Sequence, residues 1–138
     1  MKVESQVCSL EQAIELEKLG IAQVSLFTWK CNDEQSVVVD SKFAQKIDDY
    51  FPLLNKLYSA FTAAELIKMN GGNSGISTAT TKKNRGNFFM QTGCFCDGED
   101  AEFTYYDTFA KASAAKLIEA LKKDWLDTEI CNKRLMED

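Results

Sequence analysis

The stretch QVSLFTWKCNDEQSVVVD, residues 23–40, decides the class of fold. Val24, Leu26 and Thr28 alternate with Ser25, Phe27 and Trp29, a side-chain period of two. β-Branched and aromatic residues of this kind suit a pleated, half-buried surface. Asn32, Asp33 and Glu34 supply turn chemistry, and Ser36 to Asp40 carries three successive valines. The pattern predicts a β-hairpin, 23–31 against 36–40.

On its N-terminal side lies a helix. Ser9 and Gln12 have capping-box spacing, and Leu10, Ala13, Ile14, Leu16 and Leu19 follow at roughly helical intervals. Gly20 stands where a left-handed residue ends a helix, so the helix is expected over 10–19. On the C-terminal side, Phe43, Ile47 and Tyr50 share one helix face, and Pro52 stops that helix by restricting Phe51. Residues 53–61 read as irregular or a short helical turn. Thr62 and Glu65 form a second capping box, with Phe61 and Leu66 at the staple positions, and this helix should end near Asn70 before Gly71 and Gly72.

Residues 71–87, GGNSGISTATTKKNRGN, form a polar segment read as a flexible loop. A second hairpin follows, Phe88–Phe95 against Glu102–Tyr106, turning through Asp97 and Gly98. The last long helix is expected over 109–125, with Ala114, Leu117, Ile118, Leu121 and Trp125 as its apolar stripe. Residues 127–138 are charged and read as a mobile tail or a short frayed helix. The resulting class is α+β: a single antiparallel sheet of about four strands, in two hairpins, with helices packed on one face. The whole of 1–138 is expected to be a single domain.

Composition narrows the chemistry. With 45% apolar and 27% charged residues, the chain resembles ordinary globular proteins and not disordered ones. There is no histidine, which removes Ser-His-Asp and Cys-His nucleophilic catalysis and every His-containing zinc site. Acid–base work at neutral pH would require a carboxylate, Lys, Cys or Tyr with a strongly shifted pKa. A net charge of −5 weakens a general nucleic-acid-binding role, which needs a cationic surface. Five cysteines, an odd number, and no apolar leader in residues 1–10 point to free thiols in a reducing, cytoplasmic setting. No apolar run is long enough for a membrane span. No cofactor is implied, and the missing catalytic constellation weighs against an enzyme without deciding it.

Several clusters are candidates for chemistry, each with a plainer reading beside it. Cys94 and Cys96 would point to one face of a strand, as a redox pair or, with Cys8 or Cys31, a metal site; the plainer reading is buried thiols beside a turn. Lys82, Lys83 and Arg85, followed by Phe88 and Phe89, set cationic beside aromatic groups, as single-stranded nucleic-acid binders do; the plainer reading is a solvated loop entering a core strand. Gly71-Gly72-Asn73-Ser74-Gly75 lacks the Lys-Ser/Thr pair of a phosphate-binding loop and follows a helix where that loop precedes one. Asp97, Glu99 and Asp100 lack the spacing of a calcium loop, and Asp48 and Asp49 are neighbours that do not face each other on a helix. Tyr105, Tyr106, Trp29 and Phe27 make the strands aromatic. An open aromatic face would suggest a partner surface, while core packing and cross-strand pairing are the alternative.

Three segments carry a resemblance: SLEQAIELEKLGI (Ser9–Ile21) leading into SLFTWK (Ser25–Lys30), YSAFTAAELIKMN (Tyr58–Asn70) and FAKASAAKLIEALKK (Phe109–Lys123). They resemble small uncharacterised proteins of prophages and mobile elements in Bacteroidetes, over about half the chain. The matching segments are caps and core stripes, and the group supplies no catalytic residues to transfer. The resemblance implies a non-catalytic accessory protein of a phage-like element with a protein partner. A single-stranded nucleic-acid binder using Lys82, Lys83, Arg85 and Phe88, and a thiol or metal site at Cys94 and Cys96, stand as the alternatives.

Overall fold

The computed structural model describes residues 2–52, 54–72, 76–78, 87–92 and 102–137. Its first helix, α1 (Leu10–Lys18), starts where the capping box places it. Gln12 N–H donates to Ser9 Oγ at 3.2 Å, and Ser9 N–H donates to Gln12 Oε1 at 3.0 Å. The amide of Gln12 then donates to the Lys111 carbonyl at 2.8 Å, fastening this cap to a distant helix. Gly20 leaves α1 with φ 92°, a left-handed backbone that suits glycine. A Cβ on Gly20 would lie 3.2 Å from Thr128 Cγ2, so the glycine also admits the C-terminal helix.

The strands β1 (Phe27–Cys31) and β2 (Ser36–Asp40) form the expected hairpin, with Trp29 opposite Val38. The strand starts at Phe27 and not at residue 23. Ahead of it, side chains take the backbone hydrogen bonds that a ladder would otherwise supply. Ala22 N–H donates to Asn132 Oδ1 at 2.7 Å, and Leu26 N–H to Glu65 Oε2 at 3.3 Å. On the other edge of β1 lies β3 (Lys56–Ser59), antiparallel, with Trp29 opposite Tyr58. This corrects the expectation of irregular structure over 53–61. Lys-Leu-Tyr-Ser is short and has no β-branched residue, so only its pairing with β1 reveals it as a strand.

Between β2 and β3 runs α2 (Ser41–Tyr50), capped by Asp40, whose carboxylate accepts from the amides of Lys42 and Phe43 at 2.9 and 3.4 Å. It ends just before Pro52, as expected. The helix α3 (Ala63–Met69) carries the second capping box, complete on both sides at Thr62 and Glu65. Phe61 and Leu66, at the staple positions, are both buried in the same apolar cluster.

A second sheet contains β4 (Ser77–Thr78), β5 (Phe88–Thr92) and β6 (Glu102–Tyr106), all antiparallel in that order. β4 is a paired strand inside the segment 71–87 expected as a loop. Its partner is Phe88–Phe89, contiguous with the expected second hairpin. The fold is therefore α+β, with antiparallel strands in two hairpins. Each hairpin is widened by a third strand into a sheet of its own.

Two C-terminal helices complete the chain: α4 (Phe109–Lys122) and α5 (Thr128–Met136). α4 stops short of the expected residue 125. Asp124 adopts φ 57° and Trp125 N–H reaches back to the Ala120 carbonyl at 2.9 Å, a Schellman-type ending. Trp125 is thereby turned out of the apolar stripe and is exposed, with Lys123 Nζ over its ring at 4.9 Å. Lys122 pairs with Glu15 at 2.8 Å across to α1, and that hydrogen bond holds the Glu15 carboxyl below its usual range.

Of the two readings of residues 127–138, a mobile tail or a short helix, the helix is what forms, and α5 (Thr128–Met136) is docked on the body of the fold. Cys131 of α5 is fully buried. Thr128 donates to the Leu19 carbonyl at 3.1 Å, Asn132 to the Gly20 carbonyl at 3.0 Å, and Arg134 to the Met69 carbonyl at 3.1 Å. These polar side chains satisfy the carbonyls left open at the ends of α1 and α3, which is why a charged sequence can dock.

The interior lies where α1, α3, α4 and α5 meet the first sheet. Leu16, Phe61, Leu66, Met69, Leu117 and Cys131 are its largest wholly buried members, with Trp29 and Tyr58 packed against it. A smaller cluster of Val7, Val38 and Ala60 adjoins it, and Trp29 packs against both. The Trp29 indole donates to the Cys8 carbonyl at 3.1 Å. α2 takes the other side of β1: Thr28, which alternates with Trp29, shares a 2.8 Å hydrogen bond with the hydroxyl of Ser41.

Ser113 sits in the buried stripe of α4, and among the described residues its hydroxyl has no hydrogen-bond partner. Ser113→Ala should therefore stabilise the fold by about 1 kcal/mol, by removing a stranded polar group and adding helix propensity. Chemical denaturation of the two proteins checks this. Among the described residues, no helix is long and apolar enough to cross a membrane.

Candidate functional site

Of the residues singled out from the sequence, Phe88 is placed. It opens β5, opposite Tyr106, and its ring lies 5.4 Å from that of Phe109 in a tilted stack. The contact joins the second sheet to the start of α4. Lys82, Lys83, Arg85, Cys94 and Cys96 lie outside the described residues, as do Asp97, Glu99 and Asp100. Among the described residues, no group of three or more Cys, Asp or Glu is placed to hold a metal ion.

Three clefts mark the described surface. The first, about 360 Å³, lies between α2 and the first sheet and is lined by Gln23, Ser25, Thr28, Ser41, Ala44 and Leu57 among others. Its polar groups are occupied with one another. Thr28 bonds Ser41, Ser25 donates to the Ala60 carbonyl and to Glu65, and Gln23 accepts from the Ser59 amide at 2.8 Å. The second, about 400 Å³, is largely apolar, with Gln6, Ala63, Phe88 and Phe109 on its walls. Its acid, Asp107, pairs with Lys111 at 3.2 Å. The third, about 320 Å³, lies beside the end of α3. There Arg134 holds the Met69 carbonyl and Lys68 donates to the Glu137 carbonyl.

Beside the first cleft the Ser25 hydroxyl meets the Glu65 carboxylate at 3.0 Å, but the same carboxylate oxygen is engaged by Thr62 in the capping box of α3. The described thiols lie elsewhere. Cys8 and Cys131 are wholly buried, and Cys31 is half-buried at the end of β1. Burial pushes the Cys8 thiol up to about 12, well above its ordinary 9.0, and burial also raises that of Cys131. Both are the opposite of an activated cysteine. A thiol with a raised pKa keeps its proton in the fold while the unfolded chain loses it. Stability should thus be intact below pH 9 and fall toward pH 12, by about 1.4 kcal/mol per pH unit from Cys8. Urea melts on both sides of pH 9 check this, and Cys8→Ala should flatten the decline.

The feature that sequence reading did not locate is the outer face of α2. Phe43, Ile47 and Tyr50 do share a face, as their spacing requires, but Phe43 and Tyr50 point to solvent and Ile47 between them is half-buried. Phe43 is 51% and Tyr50 76% exposed, and beyond the helix Phe51 and Leu54 are 60% and 62% exposed. The inner position belongs to Ala44, which is 1% exposed. Leu26, also exposed, adjoins the start of the helix, its carbonyl accepting from Ser41 N–H at 3.1 Å. The aromatics of the first sheet, by contrast, are half-buried. In β6, Tyr105 is exposed, whereas Tyr106 is half-buried; desolvation, with Glu119 nearby, raises its phenol pKa.

Comparison with protein-family models, curated proteins and solved structures gave no match. The arrangement of this chain's own residues is thus what a functional reading has to work from. It consists of interlocked polar groups in the clefts, protonated buried thiols, and a row of large apolar side chains on one helix and the turn after it.

Proposed function

We propose that this chain is a non-catalytic accessory protein that acts by contact with protein, and that the outer face of α2 is its contact surface. The observation that supports the reading is the run Phe43, Tyr50, Phe51 and Leu54, each more than half exposed within a dozen residues. Scattered single apolar residues are normal on a surface, but a clustered row with aromatic members is the composition of a partner-binding patch. The role in a phage-like or mobile element extends from the resemblance of the three cap and core segments. The cytoplasmic setting extends from the free thiols of Cys8, Cys31 and Cys131.

Photo-crosslinking in the native cell tests the proposal, with the photoreactive residue placed at position 50. A discrete crosslinked protein band, weakened by Phe43→Asp, is the expected outcome. No specific band, together with turnover of a metabolite by the purified chain, would refute it. Salt-dependent gel shifts with short oligonucleotides test the nucleic-acid alternative in parallel, and absence of binding at low salt ends that alternative.

A further inference from the structure

We propose that Asn70-Gly71, where α3 meets α5, is a site of spontaneous covalent modification that the docked α5 holds unreactive. Opening of α5 starts a one-way conversion of Asn70 to aspartate or isoaspartate.

The sequence supplies the reactive pair. Of the asparagines in this chain, only Asn70 is followed by glycine. Glycine has no Cβ to shield its nitrogen and leaves the backbone its widest rotation, so such a pair closes on itself readily. In that step the Gly71 nitrogen gives up its proton and attacks Asn70 Cγ. The new N–Cγ bond forms, the bond from Cγ to the side-chain nitrogen breaks, and that nitrogen leaves as ammonia with the proton. One water then opens the five-membered imide. Opening at Cγ gives aspartate, and opening at the backbone carbonyl gives isoaspartate, whose main chain runs through Cγ. One water enters and one ammonia leaves, so the step needs no oxidant or cofactor.

The fold withholds the geometry that ring closure requires. The Gly71 nitrogen must be free and must swing toward Cγ by a large rotation about ψ of Asn70. Asn70 instead caps α3 at φ −85° and ψ 14°. Its own N–H donates to the Leu66 carbonyl at 3.1 Å, Gly71 N–H to Lys68 at 3.2 Å and Gly72 N–H to Ile67 at 2.8 Å. The attacking nitrogen is thus committed, and the residues on both sides of it are tied to the last turn of α3. Water is not what is lacking, since Asn70 is half-buried and Gly71 is exposed.

The helix α5 keeps this turn shut. Arg134 Nη1 donates to the Met69 carbonyl, one residue before Asn70, at 3.1 Å and from 65 residues further along the chain. The same guanidinium lies against Gly71, where a Cβ would come 3.3 Å from Nη1 and 3.5 Å from Cζ. Lys68, in the last turn of α3, donates to the Glu137 carbonyl just past α5. Modification acts back on this grip. Isoaspartate adds a carbon to the main chain at the point where Gly71 passes under Arg134, so the turn loses its hydrogen-bond register and α5 loses its seat.

Timed incubation of the full chain at mildly alkaline pH tests this, with peptide mapping to read the amide-to-acid mass gain at position 70 and the isoaspartate share. Folded wild type should react at least roughly tenfold more slowly than the same chain in urea, because reaction proceeds through the open fraction. Arg134→Ala removes a hydrogen bond from a charged donor and should speed modification by roughly tenfold. Lys133→Ala, at an exposed position of α5, should leave the rate unchanged. Should Arg134→Ala fail to fold, wild type in graded urea below its unfolding transition replaces it, and modification should rise in step with hydrogen exchange of the α5 amides. A folded wild type that reacts as fast as the unfolded chain overturns the proposal. So does a folded Arg134→Ala with the wild-type rate, or a rate that follows global unfolding and not the opening of α5.

Discussion

Phe61→Ala should lower the unfolding free energy by about 3–5 kcal/mol, the largest single-residue effect expected in this chain. Phe61 is 0% exposed and heads the wholly buried side chains by size. It sits where β3 passes into α3, and its carbonyl accepts from Cys8 N–H at 2.9 Å, so the ring is anchored at a crossing of two chain segments. Leu66 and Met69 of α3, Leu16 of α1 and Leu117 of α4 belong to the same cluster and cannot all move in to fill the void. Small domains hold only about 5–15 kcal/mol in total, so the variant should lie close to the folding threshold. Urea titration with an unchanged m-value is the measurement. A loss below about 1 kcal/mol would mean that the ring is not packed as described.

Glu65→Ala should cost about 2–3 kcal/mol, through polar connections and not packing. The carboxylate accepts from Thr62 N–H at 2.9 Å, Thr62 Oγ at 3.0 Å, Ser25 Oγ at 3.0 Å and Leu26 N–H at 3.3 Å. It closes the capping box of α3 and also holds the backbone leading into β1, so truncation strands donors in both places. Glu65→Gln keeps one acceptor oxygen but turns an NH2 toward a donor, and should fall between wild type and Ala. Thermal melts of the three proteins rank them. Amide hydrogen exchange should show Leu26 among the amides that lose protection in the alanine variant. Equal stability of all three would sink the account.

What the sequence revealed was local. Ser9 with Gln12 and Thr62 with Glu65 are separated by three residues, and each box closes within one helical turn, so spacing alone placed both helix starts. The two hairpins were visible for the same reason, since each connects neighbouring stretches with turn residues between. β3 and β4 were not visible, because an edge strand of two to four residues is defined by its partner and not by its own composition. The contact face was half visible. Periodicity put Phe43, Ile47 and Tyr50 on one side of α2, but cannot say whether that side faces protein or water. The small residue Ala44, which carries no such signal, took the inner position. α5 was hidden for a related reason. Thr128, Asn132 and Arg134 read as tail polarity, yet they serve as partners for carbonyls more than sixty residues away.

Those distant carbonyls also fix when the molecule can become itself. Thr128 and Asn132 close onto Leu19 and Gly20 across 109 and 112 residues of chain, and Cys131 fills the same interior as Cys8 and Leu16. During translation, α1 and the first hairpin leave the ribosome long before the helix that completes their shelter exists. Closure of that interior therefore has to await synthesis of the chain through Cys131 and Asn132, a demand set by contacts of long sequence separation.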